Sequence, residues 1–214
     1  MIMTTKPSDR IILDISPCID RHLPVWPGDT AFESSTTWQI GANCPVKVSK
    51  MSMTTHLGAH CDAPSHYEVG GISIDQVGLD AYIGPCRVIH CIGQAQIRIE
   101  HIAHAIENLP ARVLIRTYQV SPNHWDEQFA AIAAETIAFL ATHKVKLIGV
   151  DTPSLDPQQS KTLDAHLAVH AANMAILEGI VLDQVAEGDY ELIALPLKFA
   201  EMDASPVRAI LRTL

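Results

Sequence analysis

Four side chains that can bind a metal ion or carry a proton lie within one eleven-residue run of the sequence. They are His56, His60, Asp62 and His66, and all four occupy even positions. Alternate side chains of an extended strand point to the same face, so a strand here would present the four groups together. Neutral imidazole and carboxylate are the usual ligands of zinc and of similar metals. The spacing therefore predicts a metal site, and the alternative is a set of histidines on a surface strand.

The odd positions of the same run are mostly apolar and include Leu57, Ala59 and Cys61. Pro64 disfavours a helix through this segment. We therefore predict a strand over residues 46–63 whose odd positions pack on a core. Cys61 would then point away from the metal as a packing residue, and a reactive thiol is the alternative.

Further ligands must come from elsewhere in the chain, because one short run cannot complete two metal sites. Alongside His170, the best candidates are His166 and Glu178. In one straight helix these two residues would lie about 18 Å apart along the axis and could not share a metal. Gly179 and the β-branched residues around it favour a strand after about Asn173. We predict a helix that ends near Ala172 and a strand that returns past the site.

Three more residues are candidates for a role at the site. His170 lies one helical turn beyond a predicted ligand, where it is either a surface residue or a supporting one. Asp151 ends the apolar strand 147–151, where ligands often bind in open α/β sheets, and a turn or cap carboxylate is the alternative. Trp26 lies in the Pro- and Gly-rich loop 24–29 and is suited either to stacking on a substrate ring or to plugging the surface.

Strand-like and helix-like segments alternate along the chain. Apolar runs predict strands at 11–15, 46–63, 85–92, 113–115, 147–151, 191–197 and 207–211. The helical period of apolar residues predicts helices at 99–109, 126–143 and 164–172. Alternation of this kind indicates βαβ units, so we predict the α/β fold class in a single domain over residues 1–214.

Charge and composition exclude several classes of function. The net charge of −9 disfavours binding to nucleic acid or to an anionic membrane. No apolar stretch approaches the ~20 residues needed to cross a bilayer, and residues 1–10 lack the apolar region of a secretory signal. Five cysteines without a CxxC pair suit reduced thiols. We expect a cytoplasmic protein.

The motif His-x-Gly-Ala-His-x-Asp-x-Pro-x-His over residues 56–66 resembles the signature of the cyclase-type metal-dependent hydrolase family. Other segments are similar to the kynurenine formamidase (arylformamidase) branch of that family and span nearly the whole chain in the expected order. These segments are residues 25–29, 84–89, 150–154 and 190–197. The resemblance implies a swivelling β/β/α fold and a homodimer whose site lies near the subunit contact.

The resemblance also implies a role for each candidate ligand. It assigns one zinc ion to His56, His60 and Asp62. Asp62 would bridge to a second zinc ion, giving two per subunit, and His66 would act as general acid/base. The remaining ligands of the second ion would be His166 and Glu178.

The implied reaction is hydrolysis of N-formyl-L-kynurenine to L-kynurenine and formate, a step of tryptophan degradation. Zinc held by these residues would supply a water nucleophile near neutral pH, and His66 would pass a proton to the departing aryl amine. One alternative is a related hydrolase or dehydratase that acts on another small amide, lactam or hydroxy compound with zinc or manganese. The other is a metal-binding protein without catalysis.

Overall fold

The computed structural model describes residues 10–214 of the 214-residue chain. The polar N-terminal segment before Arg10, which contributes to the predicted cytoplasmic location, lies outside the described residues. The strands are β1 (Ile12–Asp14), β2 (Glu33–Trp38), β3 (Val48–Ser52), β4 (His60–Asp62), β5 (Ile83–His90), β6 (Gln96–Ile97), β7 (Arg112–Arg116), β8 (Ala131–Ile132), β9 (Leu147–Val150), β10 (Ala175–Leu177), β11 (Gly188–Ile193), β12 (Ala204–Pro206) and β13 (Ile210–Thr213). The α-helices are α1 (Ile99–Ile102), α2 (Ala134–Thr142) and α3 (Asp164–Ala171), and 3-10 helices cover Pro64–His66, Leu79–Ala81 and Ala103–Ala105.

A mixed sheet with the strand order β1-β13-β11-β5-β7-β9-β10 forms the centre of the molecule. The β1 side of the sheet is antiparallel up to β5, and β5, β7, β9 and β10 run parallel. Strands β7 and β9 are buried along their whole length, as expected for parallel strands covered on both faces. This architecture confirms the predicted α/β fold class.

The two faces of the sheet bury different cores, and the alternation along β7 separates them. Val113 and Ile115 pack in a core that includes residues of α2 and α3. Leu114 faces the opposite way into a core that contains Ala59 and Cys61. The odd positions of the motif, Ala59 and Cys61, therefore hold β4 against the sheet. The even positions of β4 face away from that core.

The strand predicted over residues 46–63 is interrupted. Strand β3 ends at Ser52, the chain turns through residues 53–59, and β4 is only three residues long. Gly58 has a φ of +70°, a left-handed conformation that breaks an extended strand. The prediction that all four motif side chains share one strand face is therefore wrong, because His56 lies in the turn and His66 in a 3-10 helix.

Two predicted helices are shorter than their apolar periodicity indicates. Helix α2 begins only at Ala134, and residues 129–133 are buried in an extended segment that contains β8. The apolar residues of this segment pack in the core without a helix. The helix predicted over 99–109 is α-helical only to Ile102 and continues as a 3-10 turn. Near the C-terminus the strands are β11 and β13, shifted by up to four residues from the predicted ranges.

The predicted turn between helix and strand near residue 173 is confirmed. Helix α3 ends at Ala171, Asn173 adopts a positive φ of 51°, and β10 then pairs in parallel with β9. This return brings the end of β10 back to the level of α3. Among the described residues, no helix combines the length and the apolar character that a bilayer crossing requires.

Candidate metal centre

Strand β4 and the end of β10 meet edge to edge and deliver three of the predicted ligands. The backbone N–H of His60 donates to the carbonyl of Glu178 at 3.0 Å, and the reverse bond measures 2.9 Å. His60 and Asp62 lie two residues apart on β4, so their side chains emerge on one face. His166 reaches the same point from α3, where it is buried.

The donor atoms divide into two sets around the carboxylates. Asp62 Oδ1 lies 3.1 Å from His56 Nδ1 and 3.4 Å from His60 Nε2, while Asp62 Oδ2 lies 3.5 Å from His166 Nε2. Glu178 faces both sides, with Oε2 at 3.3 Å from His60 Nε2 and Oε1 at 3.6 Å from His166 Nε2. In a tetrahedral zinc site with bonds of about 2.0–2.1 Å, neighbouring ligand atoms lie about 3.3–3.4 Å apart. Among the described residues, two trios have donor atoms within 4.8 Å of one another, His60 with Asp62 and Glu178, and His56 with Asp62 and His66, so Asp62 belongs to both.

The interior of the cluster contains polar atoms that the described residues leave without a hydrogen bond. His60 Nε2 and both oxygens of Asp62 are buried and have no hydrogen-bond partner there. Burying such atoms without a partner is unfavourable, and native proteins rarely do it unless an ion or water satisfies them. The residues present therefore fit a metal centre by donor type, spacing and burial.

Each imidazole of the cluster uses its other nitrogen for an orienting contact. His166 Nδ1 lies 2.6 Å from Asp156 Oδ2, and His60 Nδ1 lies 2.9 Å from the carbonyl oxygen of Gly58. Contacts of this kind fix the tautomer and leave the facing nitrogen free for a metal. Sequence reasoning missed Asp156, although it lies in the loop that follows the candidate Asp151.

The carboxylates also set the protonation of the cluster. Burial opposes charge on Asp62, but the imidazoles of His166 and His56 outweigh it and hold the pKa of Asp62 well below its usual range. Burial likewise opposes protonation of the imidazoles, but the carboxylates around them raise the pKa of His56 to about 9 and that of His166 to about 10. A metal ion that binds here at neutral pH therefore displaces protons.

His66 lies beside this cluster and is more open to solvent, with 34% of its side chain exposed. Its ring centroid is 4.2 Å from that of His56, and burial lowers its pKa. A ring nitrogen of each of these two histidines and an oxygen of Asp62 lie within 4.8 Å of one another. The spacing alone therefore offers His66 either as a third ligand there or as a free imidazole at the edge of the site.

A cavity of about 370 Å³ opens over the donor atoms. Aromatic side chains form part of its wall, and the Trp26 and Trp125 rings meet edge to face with centroids 5.3 Å apart. Tyr118 belongs to the same wall and donates from its hydroxyl to Asp126 at 3.0 Å. Trp26 thus lies on the cavity wall.

The lining of this cavity is acidic. Asp29 and Asp126 contribute to it, and among the described residues no lysine or arginine does. Asp151 also borders the cavity, but its carboxylate accepts hydrogen bonds from Thr117 N, Thr117 Oγ1 and Tyr118 N at 2.7–3.0 Å. Asp151 is therefore a turn carboxylate, which was the alternative to a ligand-binding role. Its hydrogen bonds shape the part of the wall that contains Tyr118.

The remaining sequence candidates lie outside the donor cluster. His170 is exposed on α3, and its ring centroid lies 6.2 Å from that of Tyr67. Cys61 is fully buried, its Sγ donates to the carbonyl of Ala194 at 3.6 Å, and burial raises its thiol pKa well above the usual value. Cys61 is therefore a packing residue, because a thiol held protonated in a core is a poor nucleophile.

Gly179 keeps the two halves of the centre together, and its replacement by alanine is expected to weaken metal binding. A Cβ at this position would lie 2.2 Å from the carbonyl oxygen of Gly58, and the φ of Gly179 is +65°. The displaced carbonyl is the one that orients His60, so we expect zinc affinity to fall about 10- to 100-fold. Competition with a chromophoric chelator measures this change.

Gly93→Ala is the matched control, because Gly93 has a φ of +80° and an added Cβ there would meet no atom within 4 Å. It carries the same backbone strain without the clash and should bind zinc as the wild type does. Equal zinc affinity in the two variants would contradict the steric account.

A sequence profile of the Cyclase family, described as "Putative cyclase", matches residues 13–157. The match covers most of the 214-residue chain and includes His56, His60, Asp62 and His66. The chain therefore belongs to the cyclase family. His166 and Glu178 lie beyond the matched segment, and the structure brings them to it.

Solved structures with the same fold agree with this assignment. A potential metal-dependent hydrolase with cyclase activity is 25% identical with a TM-score of 0.84, and the match covers 96% of this chain and 98% of that one. A predicted metal-dependent hydrolase from Bacillus stearothermophilus is 26% identical with a TM-score of 0.81, covering 96% and 99%. Isatin hydrolase A from Labrenzia aggregata is 26% identical with a TM-score of 0.80, covering 95% and 94%. The chain has the fold of metal-dependent hydrolases.

Proposed function

We propose that this protein hydrolyses N-aryl amides and that its substrate is N-formyl-L-kynurenine, which it converts to L-kynurenine and formate. The observation that carries the proposal is the aromatic-walled cavity directly over a buried His/Asp/Glu donor cluster. Such a cavity holds a flat aryl group while its amide carbonyl meets the donors. The segments similar to the kynurenine formamidase branch of the family point to the same substrate.

We assign two zinc ions to the centre, one held by His56, His60 and Asp62 and the other by Asp62, His166 and Glu178. When bound, zinc activates water and polarises a carbonyl oxygen. Manganese is the alternative metal, since the same imidazole and carboxylate donors suit it.

The side chains of the cavity then bind the substrate and move its proton. Trp26 and Trp125 contact the aryl ring, and the acidic lining at Asp126 attracts the α-ammonium group. His66 takes the proton of the attacking water and delivers it to the aryl nitrogen. A carbon–oxygen bond forms at the formyl carbon as the carbon–nitrogen bond breaks, so the formyl group leaves as formate and the aryl amine of kynurenine leaves uncharged.

Lactam opening of isatin is the second candidate. The likeness to isatin hydrolase A favours this reaction, and isatin is also an N-aryl amide. Unlike N-formyl-L-kynurenine, isatin has no charged group for the acidic cavity to bind. Zinc-loaded protein assayed on both compounds distinguishes the two. We expect kcat/KM for N-formyl-L-kynurenine to exceed that for isatin, and the reverse order would reassign the substrate.

Asp126→Asn is expected to raise the KM for N-formyl-L-kynurenine about tenfold, because a hydrogen bond to a charged group contributes roughly 1.5–3 kcal/mol. Asparagine still accepts from the Tyr118 hydroxyl, so the wall keeps its shape. The comparison is made by steady-state kinetics with the analogue of N-formyl-L-kynurenine that lacks the α-amino group. Its KM should be unchanged by the substitution.

Glu127→Gln is the neighbouring control, because Glu127 is exposed and does not line the cavity. An equal rise in KM for both substrates in Asp126→Asn would mean that the aspartate shapes the wall and does not bind the ammonium group.

We also propose a homodimer. The β2–β3 hairpin is exposed along both strands, with Trp38 57% and Met51 64% exposed, and an isolated two-stranded hairpin is only marginally stable. A second copy of the chain would cover it, and a monomeric sedimentation coefficient would contradict this. We place the protein in the cytoplasm, which fractionation of cells tests.

A further inference from the structure

Asp203 lies in the loop before β12 and is brought to the metal centre by the pairing of β12 with β4. Its backbone carbonyl accepts from Ala63 N at 2.8 Å, which fixes the loop beside the motif. The residue is 37 or more positions away from every proposed ligand except Glu178, and it lies beyond the segment matched to the family.

The Asp203 carboxylate contacts three side chains of the motif segment. Thr55 Oγ1 donates to Oδ1 at 3.0 Å. The other oxygen, Oδ2, lies 3.0 Å from His56 Nε2 and 3.6 Å from His66 Nδ1. One carboxylate oxygen therefore faces both the proposed metal ligand and the proposed proton carrier.

We propose that Asp203 is a positioning residue that couples the metal ligand His56 to the proton carrier His66. An N–H at His56 Nε2 directed to Asp203 leaves the Nδ1 lone pair facing Asp62. His66 Nδ1 lies 3.6 Å from the same oxygen, beyond hydrogen-bond distance, but the charge of the carboxylate favours the N–H at Nδ1 and leaves Nε2 for the substrate. The assignment rests on the proposed function for the roles of both His56 and His66.

The contact of Thr55 explains how a half-exposed carboxylate keeps one orientation. Asp203 has 45% of its side chain exposed, so solvent competes for its oxygens. The hydroxyl of Thr55 fixes Oδ1 and thereby directs Oδ2 to the two rings. Asp156, by contrast, accepts from the backbone N–H groups of Ala165 and His166 and faces His166 Nδ1, so it positions one ligand and no proton carrier.

Asp203→Ala tests the proposal through both contacts. We expect zinc affinity, measured by chelator competition, to fall about 10- to 100-fold because an orienting partner of a ligand is lost. At saturating zinc, kcat should fall as well. In a His66→Ala background, Asp203→Ala should still weaken zinc binding. It should leave the kcat of that background unchanged, since the contact between Asp203 and His66 is already absent.

Two control variants separate this role from a general disturbance. Asp156→Ala should weaken zinc binding and should lower kcat equally with and without His66. Glu201→Gln, in the same loop as Asp203 and exposed, should change neither quantity. Should Asp203→Ala fail to fold, Thr55→Val removes the orienting hydroxyl and should give smaller changes of the same sign.

The ring-nitrogen NMR signals of His66 give a readout that needs no substrate. The wild-type protein should show His66 protonated at Nδ1, and Asp203→Ala should shift the population toward the other tautomer. Unchanged zinc affinity, an unchanged His66 tautomer, or a kcat loss that is equal in both backgrounds would overturn the proposal. Failure of N-formyl-L-kynurenine to react would instead refute the proposed substrate, with the zinc and NMR results still deciding the role of Asp203.

Discussion

Asp62→Asn is expected to abolish tight binding of both metal ions and to lower kcat/KM by at least about 10³-fold. The two oxygens of Asp62 face different histidines, and neither has a hydrogen bond among the described residues. An amide presents a poor ligand on one side and an N–H on the other. A metal ion contributes several kcal/mol to transition-state stabilisation, and each 1.36 kcal/mol is a factor of ten in rate.

Metal analysis after gel filtration, together with the rate on N-formyl-L-kynurenine, measures both effects. Asp80→Asn is the matched control, because Asp80 is exposed and paired with Lys146 at 2.9 Å on the surface. It should retain metal and rate. If Asp62→Asn keeps one tightly bound ion and most of the activity, the bridging role is wrong.

His66→Ala is expected to lower kcat by about 10²-fold or more with near-normal metal content, the range typical of a lost general acid/base. The imidazole is more exposed than those of His56 and His60, and it borders the cavity. Metal should stay bound because five other residues supply the donors. The departing aryl amine, in contrast, loses its proton source.

The metal content of His66→Ala decides between the two arrangements that the spacing permits. Loss of one ion would show that His66 joins His56 and Asp62 as a ligand. His170→Ala is the control, because His170 is exposed and lies outside the cluster. It should leave both the metal content and the rate unchanged.

Much of the centre could be predicted from the sequence because its parts are local. The alternation of His60 and Asp62 with the buried Cys61 holds on β4, where three residues are enough to define a face. The proximity of His166 and Glu178 could also be predicted, since the β-branched residues near Gly179 exclude one continuous helix. Local propensity determines both features.

The sequence did not reveal the breaks and the distant contacts. Gly58 turns the chain between His56 and His60, and its carbonyl packs closely against Gly179, a contact across 121 positions. Asp203 has no local signal, since a carboxylate in a loop resembles any turn residue. Its position follows from the pairing of β12 with β4.

The extended segment before α2 also could not be predicted from the sequence, although it lies in the core. Its apolar residues fit a helical period, yet Ala131 and Ile132 pair with β6 instead. Apolar periodicity reports which residues are buried, and the backbone shape here depends on a strand more than thirty residues earlier. The cavity wall that includes Trp125 depends on this segment and was not predicted for that reason.

Titration of metal-free protein with zinc, followed by calorimetry, tests the binuclear centre most directly. We predict two tightly bound zinc ions per chain in the wild type, with release of protons because the carboxylates raise the pKa of His56 to about 9 and of His166 to about 10. A stoichiometry of one ion, or no binding above that of Asp62→Asn, would contradict the account of two ions bridged by Asp62.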